Sequence, residues 1–290
     1  MSVSYLNRML KNRKRYPFSK EGLRWKCMKA ILLGVGADSE NSTILSPVFS
    51  KENNKFVFLP IGDNENGIEI DGGTKVLGEK IINYLGTDYT GWLHIDPYFD
   101  GEKKIYTYGD RTHNKNFKPI NPKSNILLDL KPEDYLVFCC RMYEMERGDY
   151  KICKRNEIEK RQKNKSKHLY ILGYFKVKRN DAISSITPIE EKKEIARLHY
   201  KNAHIIRGDH LSRSYLPKDH PEKKLILVLG DEVESKILKK GVKLTTCKNR
   251  RHYIEKKWIN YFGKDNFGPS RGLCQEIKNP KEFIREIEKE

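Results

Sequence analysis

Cysteine is scarce in this sequence, and the cysteines present are not spaced for a compact metal or redox site. None forms a C-x-x-C pair, and the six lie at Cys27, Cys139, Cys140, Cys153, Cys247 and Cys274. With no recognisable secretory signal, this usage predicts reduced, mostly buried thiols in a cytoplasmic protein. A zinc site assembled from scattered cysteines and histidines is the alternative.

Long apolar runs and nucleotide-loop motifs are also missing. No hydrophobic stretch approaches the roughly 20 residues that span a bilayer, so we expect a soluble protein without a membrane partner. Residues 34–39 follow an apolar strand, but the third glycine and the amphipathic helix of a dinucleotide-binding loop are absent. No P-loop, nucleophile motif or metal-ligand spacing stands out. The sequence therefore assigns no metal and leaves the cofactor, the oligomeric state and any catalytic activity unknown.

Acidic residues are too few to balance the basic ones. The chain has 57 Lys+Arg against 39 Asp+Glu, for a formal charge of +18. Such an excess attracts polyanions, so it predicts contact with nucleic acid or a nucleotide. Glutamine occurs only at Gln162 and Gln275. That composition is also typical of a prokaryotic thermophile whose surface is simply basic.

The first 27 residues differ in composition from the rest, because eight basic residues there face a single acid, Glu21. Three interpretations stay open: a basic arm for nucleic acid, a short packed helix, or translation from a start upstream of the natural one. We favour Met28 as the start of one domain over residues 28–290. That domain is large enough to bury a sizeable core.

The stretch over residues 132–177 predicts the centre of the fold. Residues 135–140 and 169–177 are rich in β-branched and aromatic side chains, which favours two strands. The segment between them, from Arg141 to His168, is strongly basic and predicts a mobile loop that contacts an acidic partner. Residues 225–230 are the most apolar run and predict a central buried strand.

Periodic apolar positions predict the other elements. Helices are expected over residues 74–85, residues 189–200, residues 233–238 and the C-terminus, with a strand over residues 202–210. The fold class is therefore α+β, with a mixed β-sheet or small barrel at the core and flanking helices.

Polar residues near the predicted strand ends are candidate reactive groups. Asp38 follows the first strand, either as a catalytic or ligand-binding carboxylate or as a loop residue that caps local amides. His94 and Asp96 share one face if they lie in a strand, and such a pair can transfer protons or hold a metal. The alternative is a polar strand end with a satisfied histidine. Asp110 closes the next aromatic segment at a Gly-Asp turn.

Other residues are candidates for binding nucleic acid or phosphate. Asn202, His204 and Arg207 come together in one predicted strand and suit a phosphate or a base edge, although a solvated strand edge is the alternative. Tyr108, near basic residues, can stack a base or line an ordinary surface.

Several short segments, in their order, resemble the nucleotide modification associated domain 3 family. The resemblance covers most of the chain from Met28 onward and rests on residues 30–39, 58–61, 94–97, 106–110, 132–138, 171–177 and 202–204. It implies a role near nucleotide or nucleic-acid modification in prokaryotes and phages, and it names no reaction.

The two central strands are similar to the barrel core of PUA-like domains such as EVE, ASCH and YTH. This second resemblance implies a PUA-like barrel that binds RNA or a modified base in a pocket. Tyr143, Tyr170 and Tyr174 would then present aromatic rings beside the basic segment.

Three functions follow as hypotheses. In the first, an enzyme acts on a nucleotide or modified base through Asp38, His94, Asp96 and Asp110, while His204 and Arg207 hold phosphate or base. The second is a non-catalytic PUA-like reader of RNA or modified DNA. The third is a thermophilic scaffold protein without such a ligand.

Overall fold

The computed structural model describes most of the chain in twelve stretches. They are residues 28–35, 45–63, 68–69, 75–76, 79–85, 89, 91–113, 123–147, 154–163, 166–249, 251–267 and 273–290. The predicted basic extension, residues 1–27, and the candidate carboxylate Asp38 lie outside the described residues.

The described residues form seventeen strands, most of them short. These are β1 (Ala30–Gly34), β2 (Ser46–Phe49), β3 (Lys55–Phe56), β4 (Ile61–Asp63), β5 (Ile68–Glu69), β6 (Lys75–Val76), β7 (Glu79–Lys80), β8 (Trp92–His94), β9 (Tyr98–Asp100), β10 (Ile105–Arg111), β11 (Tyr135–Met145), β12 (Lys167–Ile183), β13 (Leu225–Gly230), β14 (Lys236–Lys243), β15 (Thr245–Lys248), β16 (Arg251–Ile254) and β17 (Cys274–Glu276).

Seven α-helices accompany the strands in the described part of the chain. They are α1 (Ile82–Leu85), α2 (Lys123–Leu128), α3 (Arg155–Lys163), α4 (Ile189–Leu198), α5 (Ala203–Ile206), α6 (Ile259–Phe262) and α7 (Pro280–Lys289). Two short 3₁₀ turns lie at Ser50–Glu52 and Lys256–Trp258.

Ten of the strands form one mixed sheet in the order β17-β1-β11-β12-β13-β10-β9, with β14, β2 and β3 attached to its side. Strand β11 runs parallel to β1 and β2 but antiparallel to β12. The sheet curls into a half-barrel with helices around it, which confirms the predicted α+β class. A separate three-stranded sheet has the order β4-β8-β5 and leads directly to the candidate site.

The predicted central pair is confirmed, because β11 and β12 lie side by side from Tyr135↔Lys176 to Tyr143↔Lys167. Strand β12 is 17 residues long, and two further strands pair with the edge that faces away from β11. Strand β13 pairs with its second half and β14 with its first half. Register shifts interrupt each of these ladders, and such bulges bend a strand and increase its twist, which accounts for the curl of the sheet.

The apolar run of β11 is continuous because both faces of the strand are buried. Leu136 and Phe138 point into one hydrophobic core, while Val137 and Cys139 point into the other. Side chains that alternate between two covered faces give a strand without polar alternation. Helix α7 covers the second face through its own buried side chains, including Phe283.

The predicted helix over residues 74–85 is wrong over residues 75–76 and 79–81. Strands β6 and β7 pair with each other there, and the helical part of the described segment is Ile82–Leu85. Gly78 in the middle of the segment lowers its helix propensity by roughly 1 kcal/mol relative to alanine, which favours the short ladder. The predicted helices over residues 189–200 and at the C-terminus are confirmed as α4 and α7.

Two further predictions fail because side chains of turn residues bind nearby backbone groups. Residues 202–210 were predicted as a strand, but the Asn202 side chain accepts the His204 N–H at 3.0 Å and starts α5. Residues 233–238 were predicted as a helix, but the Asp231 carboxylate accepts the backbone N–H groups of Val233 and Glu234 and holds a turn. Strand β14 begins directly after it.

The predicted basic loop is shorter than expected. Strand β11 continues to Met145, β12 begins at Lys167, and α3 lies between them. No disulfide bond joins any two of the four described cysteines, Cys139, Cys140, Cys247 and Cys274. No helix among the described residues is long and apolar enough to cross a membrane.

Candidate active site

The candidate site lies where the small sheet meets the open edge of the large one. Strand β8 ends at His94, and the chain then passes through Asp96 and Pro97 into β9. Strand β9 pairs with β10 only as far as Tyr98↔Thr107, since Pro97 has no N–H to extend the ladder. Beyond that point the Asp96 carboxylate accepts the Gly109 N–H at 3.1 Å with each of its oxygens. The carboxylate thus takes the place of a strand neighbour.

Three polar side chains from two separate segments meet at this edge. Nε2 of His94 lies 3.9 Å from Oδ2 of Asp96, and Nε2 of His204 lies 3.7 Å from the same oxygen. The His94 and His204 rings stand edge to face with centroids 4.8 Å apart. Asp96 and His204 are buried, whereas the His94 side chain is 15% exposed and connects the cluster to the surface. We call His94, Asp96 and His204 the HDH cluster.

His204 is held in place by Asp209. Nδ1 of His204 lies 2.7 Å from Oδ2 of Asp209, and Arg207 donates from Nε and Nη2 to the same carboxylate at 2.9 and 2.6 Å. Because the ionised carboxylate can only accept, this 2.7 Å contact assigns the proton of the neutral ring to Nδ1. The contact from Nη2 of Arg207 to the same nitrogen would require Nδ1 to accept, but at 3.3 Å it is the weaker of the two. The lone pair of Nε2 is then directed at Asp96.

A buried polar network holds the turn that carries His204. The Asn202 side chain donates to Oγ1 of Thr107 at 3.4 Å, and that hydroxyl lies 2.9 Å from Nδ1 of His199. Nε2 of His199 in turn lies 3.1 Å from Asp181 on β12. The network ties the segment after α4 to two strands of the large sheet and fixes His204 against β10.

Asp110 lies beside the HDH cluster with partners of its own. Its Oδ2 forms an ion pair with Lys123 at 2.9 Å and accepts from the Tyr108 hydroxyl at 3.3 Å. The Lys123 ammonium also lies 5.3 Å from the centre of the Tyr108 ring. The Asp110 carboxylate beside the HDH cluster is therefore already paired with Lys123 and Tyr108. Strand β10 continues past Asp110 to Arg111, so the predicted Gly-Asp turn does not form there.

Burial dominates the ionisation of Asp96 and His204. It raises the pKa of Asp96 well above its usual value, and the hydrogen bond from Gly109 offsets only part of this effect. Burial also lowers the pKa of His204 to about 4, although the hydrogen bond to Asp209 raises it. Both shifts favour the uncharged forms.

The carboxylates of Asp209 and Asp110, which flank the HDH cluster, have lowered pKa values instead. Burial alone would raise the pKa of Asp209, but the hydrogen bonds from His204 and Arg207 hold it below its ordinary value. Burial would also raise the pKa of Asp110, and Lys123 outweighs that effect. These two carboxylates are therefore ionised and neutralise the cations beside them.

Arg111, at the end of β10, supplies a further positive charge next to His204. Its guanidinium lies 4.5 Å from the centre of the Tyr215 ring, and the Arg207 guanidinium lies 5.5 Å from the same ring. No carboxylate of the described residues pairs with Arg111. A guanidinium stacked on an aromatic face keeps its donor edge available for a phosphate or a carboxylate.

The structure brings together most of the residues that the sequence singled out. His94, Asp96 and His204 meet directly, and Tyr108, Asp110, Asn202 and Arg207 surround them. Tyr174 is not among them, since it is buried in the second core and its hydroxyl donates to Glu288 at 2.7 Å. Tyr143 and Tyr170 are fully buried too, so none of these three rings presents a face to a base.

Sequence analysis missed Thr107, His199, Asp209 and Arg111. Asp209 stands in the same segment as His204, but a predicted strand gave no reason to pair residues five positions apart. The turn that follows α5 brings them into contact.

One family model matches the chain over residues 29–264, and its description is nucleotide modification associated domain 3. No curated protein and no solved structure matches the chain.

Proposed function

The chain belongs to the nucleotide modification associated domain 3 family, and we propose that it is an enzyme that modifies a nucleotide or a nucleic-acid base at the HDH cluster. The observation that carries this proposal is the meeting of His94, Asp96 and His204 at the end of one strand and the free edge of another. Buried ionisable groups cost stability unless they are paired, and strongly shifted pKa values concentrate at functional sites.

The surroundings of the cluster suit a substrate that carries phosphate. Lys123 and Arg207 are neutralised by Asp110 and Asp209, so among the described residues of this edge the unneutralised positive charge is that of Arg111. Its stacking on Tyr215 orients the guanidinium, and an oriented guanidinium can bind a phosphate with two parallel hydrogen bonds. A nucleotide held in this way would place its base or sugar near His94, the partly exposed member of the cluster.

The overall charge supports the same substrate class. A chain with a formal charge of +18 gathers polyanions at its surface whether or not a specific site exists. Arg111 supplies what that general attraction lacks, namely one guanidinium fixed beside reactive side chains. The reader hypothesis loses its stacking surface, because the three tyrosines assigned to it are buried.

The test is a comparison of nucleosides and nucleotides from cells that express either the wild-type protein or His94→Ala. DNA and RNA are digested to nucleosides, free nucleotides are extracted, and all three fractions are analysed by mass spectrometry. We expect a product with the wild type and with His220→Ala, a histidine variant outside the cluster, and none with His94→Ala. Identical profiles for all three proteins, together with no nucleotide binding by the purified wild type, would overturn the proposal.

A further inference from the structure

We propose that the HDH cluster binds one divalent transition-metal ion through Nε2 of His94, Nε2 of His204 and the carboxylate of Asp96. The inference rests on the proposed function only in the role that the bound ion would have in the reaction. The binding itself follows from the geometry of the three side chains.

The distances between the ligand atoms fit a shared ion. All three atoms lie within 4.8 Å of one another, and the Asp96 oxygen stands 3.7 and 3.9 Å from the two imidazole nitrogens. These separations are too long for hydrogen bonds. Two ligands with bonds of about 2.1 Å to one ion stand about 3.4 Å apart at a tetrahedral angle. The two contacts to Asp96 need to close by a few tenths of an ångström to reach that spacing, and the two histidines by up to about 1.4 Å.

The orientation of His204 suits a metal ligand. Asp209 accepts from Nδ1, so the Nε2 lone pair of His204 is directed at the Asp96 carboxyl group, 3.7 Å away. A cation between these two groups would be bound by both. A histidine whose second nitrogen donates to a carboxylate is the usual arrangement of a metal ligand.

The charges around the cluster permit a cation. Arg207 and Lys123 each form an ion pair with a carboxylate of their own, so the repulsion that a metal ion meets comes mainly from Arg111. The ionised Asp96 would more than offset one such charge at a shorter distance.

The donor set indicates the class of ion. Two imidazoles and one carboxylate suit iron, zinc, manganese and similar first-row metals, whereas Mg²⁺ and Ca²⁺ prefer oxygen ligands throughout. Three protein ligands leave further positions open, which is typical of a catalytic site, while structural zinc sites are closed by four protein ligands. The 15% exposure of His94 marks the side from which a substrate would approach.

The test is a titration of the metal-stripped, full-length protein with Co²⁺ and Zn²⁺, with calorimetry for affinity, visible absorption for the cobalt complex and elemental analysis for stoichiometry. We expect one ion per chain and no competition from Mg²⁺. Loss of an outer partner weakens metal binding 10–100-fold, so His94→Ala and His204→Ala, which remove a ligand, should weaken it at least about 100-fold. His220→Ala, which removes an exposed histidine beside Asp219, should bind as the wild type does.

Circular dichroism and thermal unfolding check that each variant is folded. Should the buried His204→Ala fail to fold, the partly exposed His94→Ala still decides the matter. Folded wild-type protein that binds no stoichiometric ion, or binding that His94→Ala leaves unchanged, would refute the metal site.

The failure of this inference can be told apart from a failure of the proposed function. If His94→Ala abolishes the nucleotide product while the wild type binds no metal ion, the metal site is refuted and the function stands. If one ion binds and no product or nucleotide binding is found, the site stands and the function is refuted.

Discussion

Gly109 lies directly beneath the His204 ring, and a Cβ added at this glycine would stand 2.7 Å from Cδ2 of His204. The same atom would meet Oδ1 of Asn202 at 2.8 Å. The backbone of Gly109 is not left-handed, so space, and not conformation, requires glycine here. The position of His204 over β10 therefore depends on the absence of one methyl group.

The Gly109→Ala variant should displace His204 from the HDH cluster. Overpacking of a well-filled site costs about 1–3 kcal/mol, and we expect that loss in the free energy of unfolding, together with weaker binding of Co²⁺. Denaturant unfolding and the cobalt titration measure the two effects. Gly101→Ala is the matched control, because its nearest neighbours would lie 4.0 Å away, and it should change neither quantity. Wild-type cobalt affinity in Gly109→Ala would show that His204 does not need this contact.

Asp209→Asn should weaken metal binding without changing the number of ions bound. The asparagine can still accept from Nδ1 of His204, but it lacks the charge that makes the imidazole a stronger ligand, and such a loss costs about 10–100-fold in affinity. The variant also leaves Arg207 without its carboxylate, so the protein should be less stable. Calorimetry with Zn²⁺ separates affinity from stoichiometry. Asp219→Asn, beside the exposed His220, should have no effect on either, and an unaltered affinity in Asp209→Asn would show that this carboxylate does not act on His204.

Asp181 should contribute stability that is lost in acid. Burial alone would raise its pKa, but the hydrogen bonds from His199 and Arg179 hold the pKa below the ordinary value. A carboxylate with a lowered pKa stabilises the folded state above its unfolded pKa of about 3.9, and this contribution disappears as the pH falls through the folded pKa. Asp181→Asn should therefore lose roughly 1.5–3 kcal/mol at pH 7, the range for a hydrogen bond to a charged group, and show a smaller further loss below pH 4.

Unfolding by urea from pH 7 down to pH 2 measures this difference. Asp219→Asn, a change at an exposed carboxylate, should keep the wild-type pH dependence. Parallel curves for the wild type and Asp181→Asn would mean that the His199–Asp181 contact is not coupled to folding.

Tyr174→Phe should affect stability and leave ligand binding unchanged. The substitution removes only the hydroxyl that donates to Glu288, which costs about 0.5–1.5 kcal/mol for an ordinary hydrogen bond and somewhat more for one to a carboxylate. Thermal unfolding and nucleotide-binding titrations measure the two properties, and Tyr253→Phe, at an exposed tyrosine, is the control. Weaker binding of RNA or nucleotide by Tyr174→Phe at unchanged stability would instead favour the reader hypothesis.

Strands with strong apolar patterns were predictable from the sequence, and segments shaped by side chain to backbone contacts were not. The run at Leu225–Gly230 and the central pair of strands, β11 and β12, are buried on both faces, and the continuous apolar residues that this burial requires are visible in their composition. The turn after Asn202 depends on one hydrogen bond to the His204 N–H, which competes with any extended conformation. Periodicity alone contains no information about such a bond.

Two of the three members of the HDH cluster were likewise paired in advance. His94 and Asp96 stand two residues apart and were paired on that basis. His204 was expected in the same pocket as a group that holds phosphate or base, and the packing of α5 against β10 brings it to Asp96. A metal-ligand search that relies on short spacing cannot find a third ligand so distant in sequence.

The bond from Gly109 to Asp96 has a consequence for the stability of the fold. Gly109 is buried, and its N–H is satisfied by the Asp96 carboxylate and not by a neighbouring strand. A buried N–H left without an acceptor costs roughly 1–3 kcal/mol. Asp96→Ala should therefore destabilise the fold by an amount of this order, as well as remove one ligand of the proposed metal site.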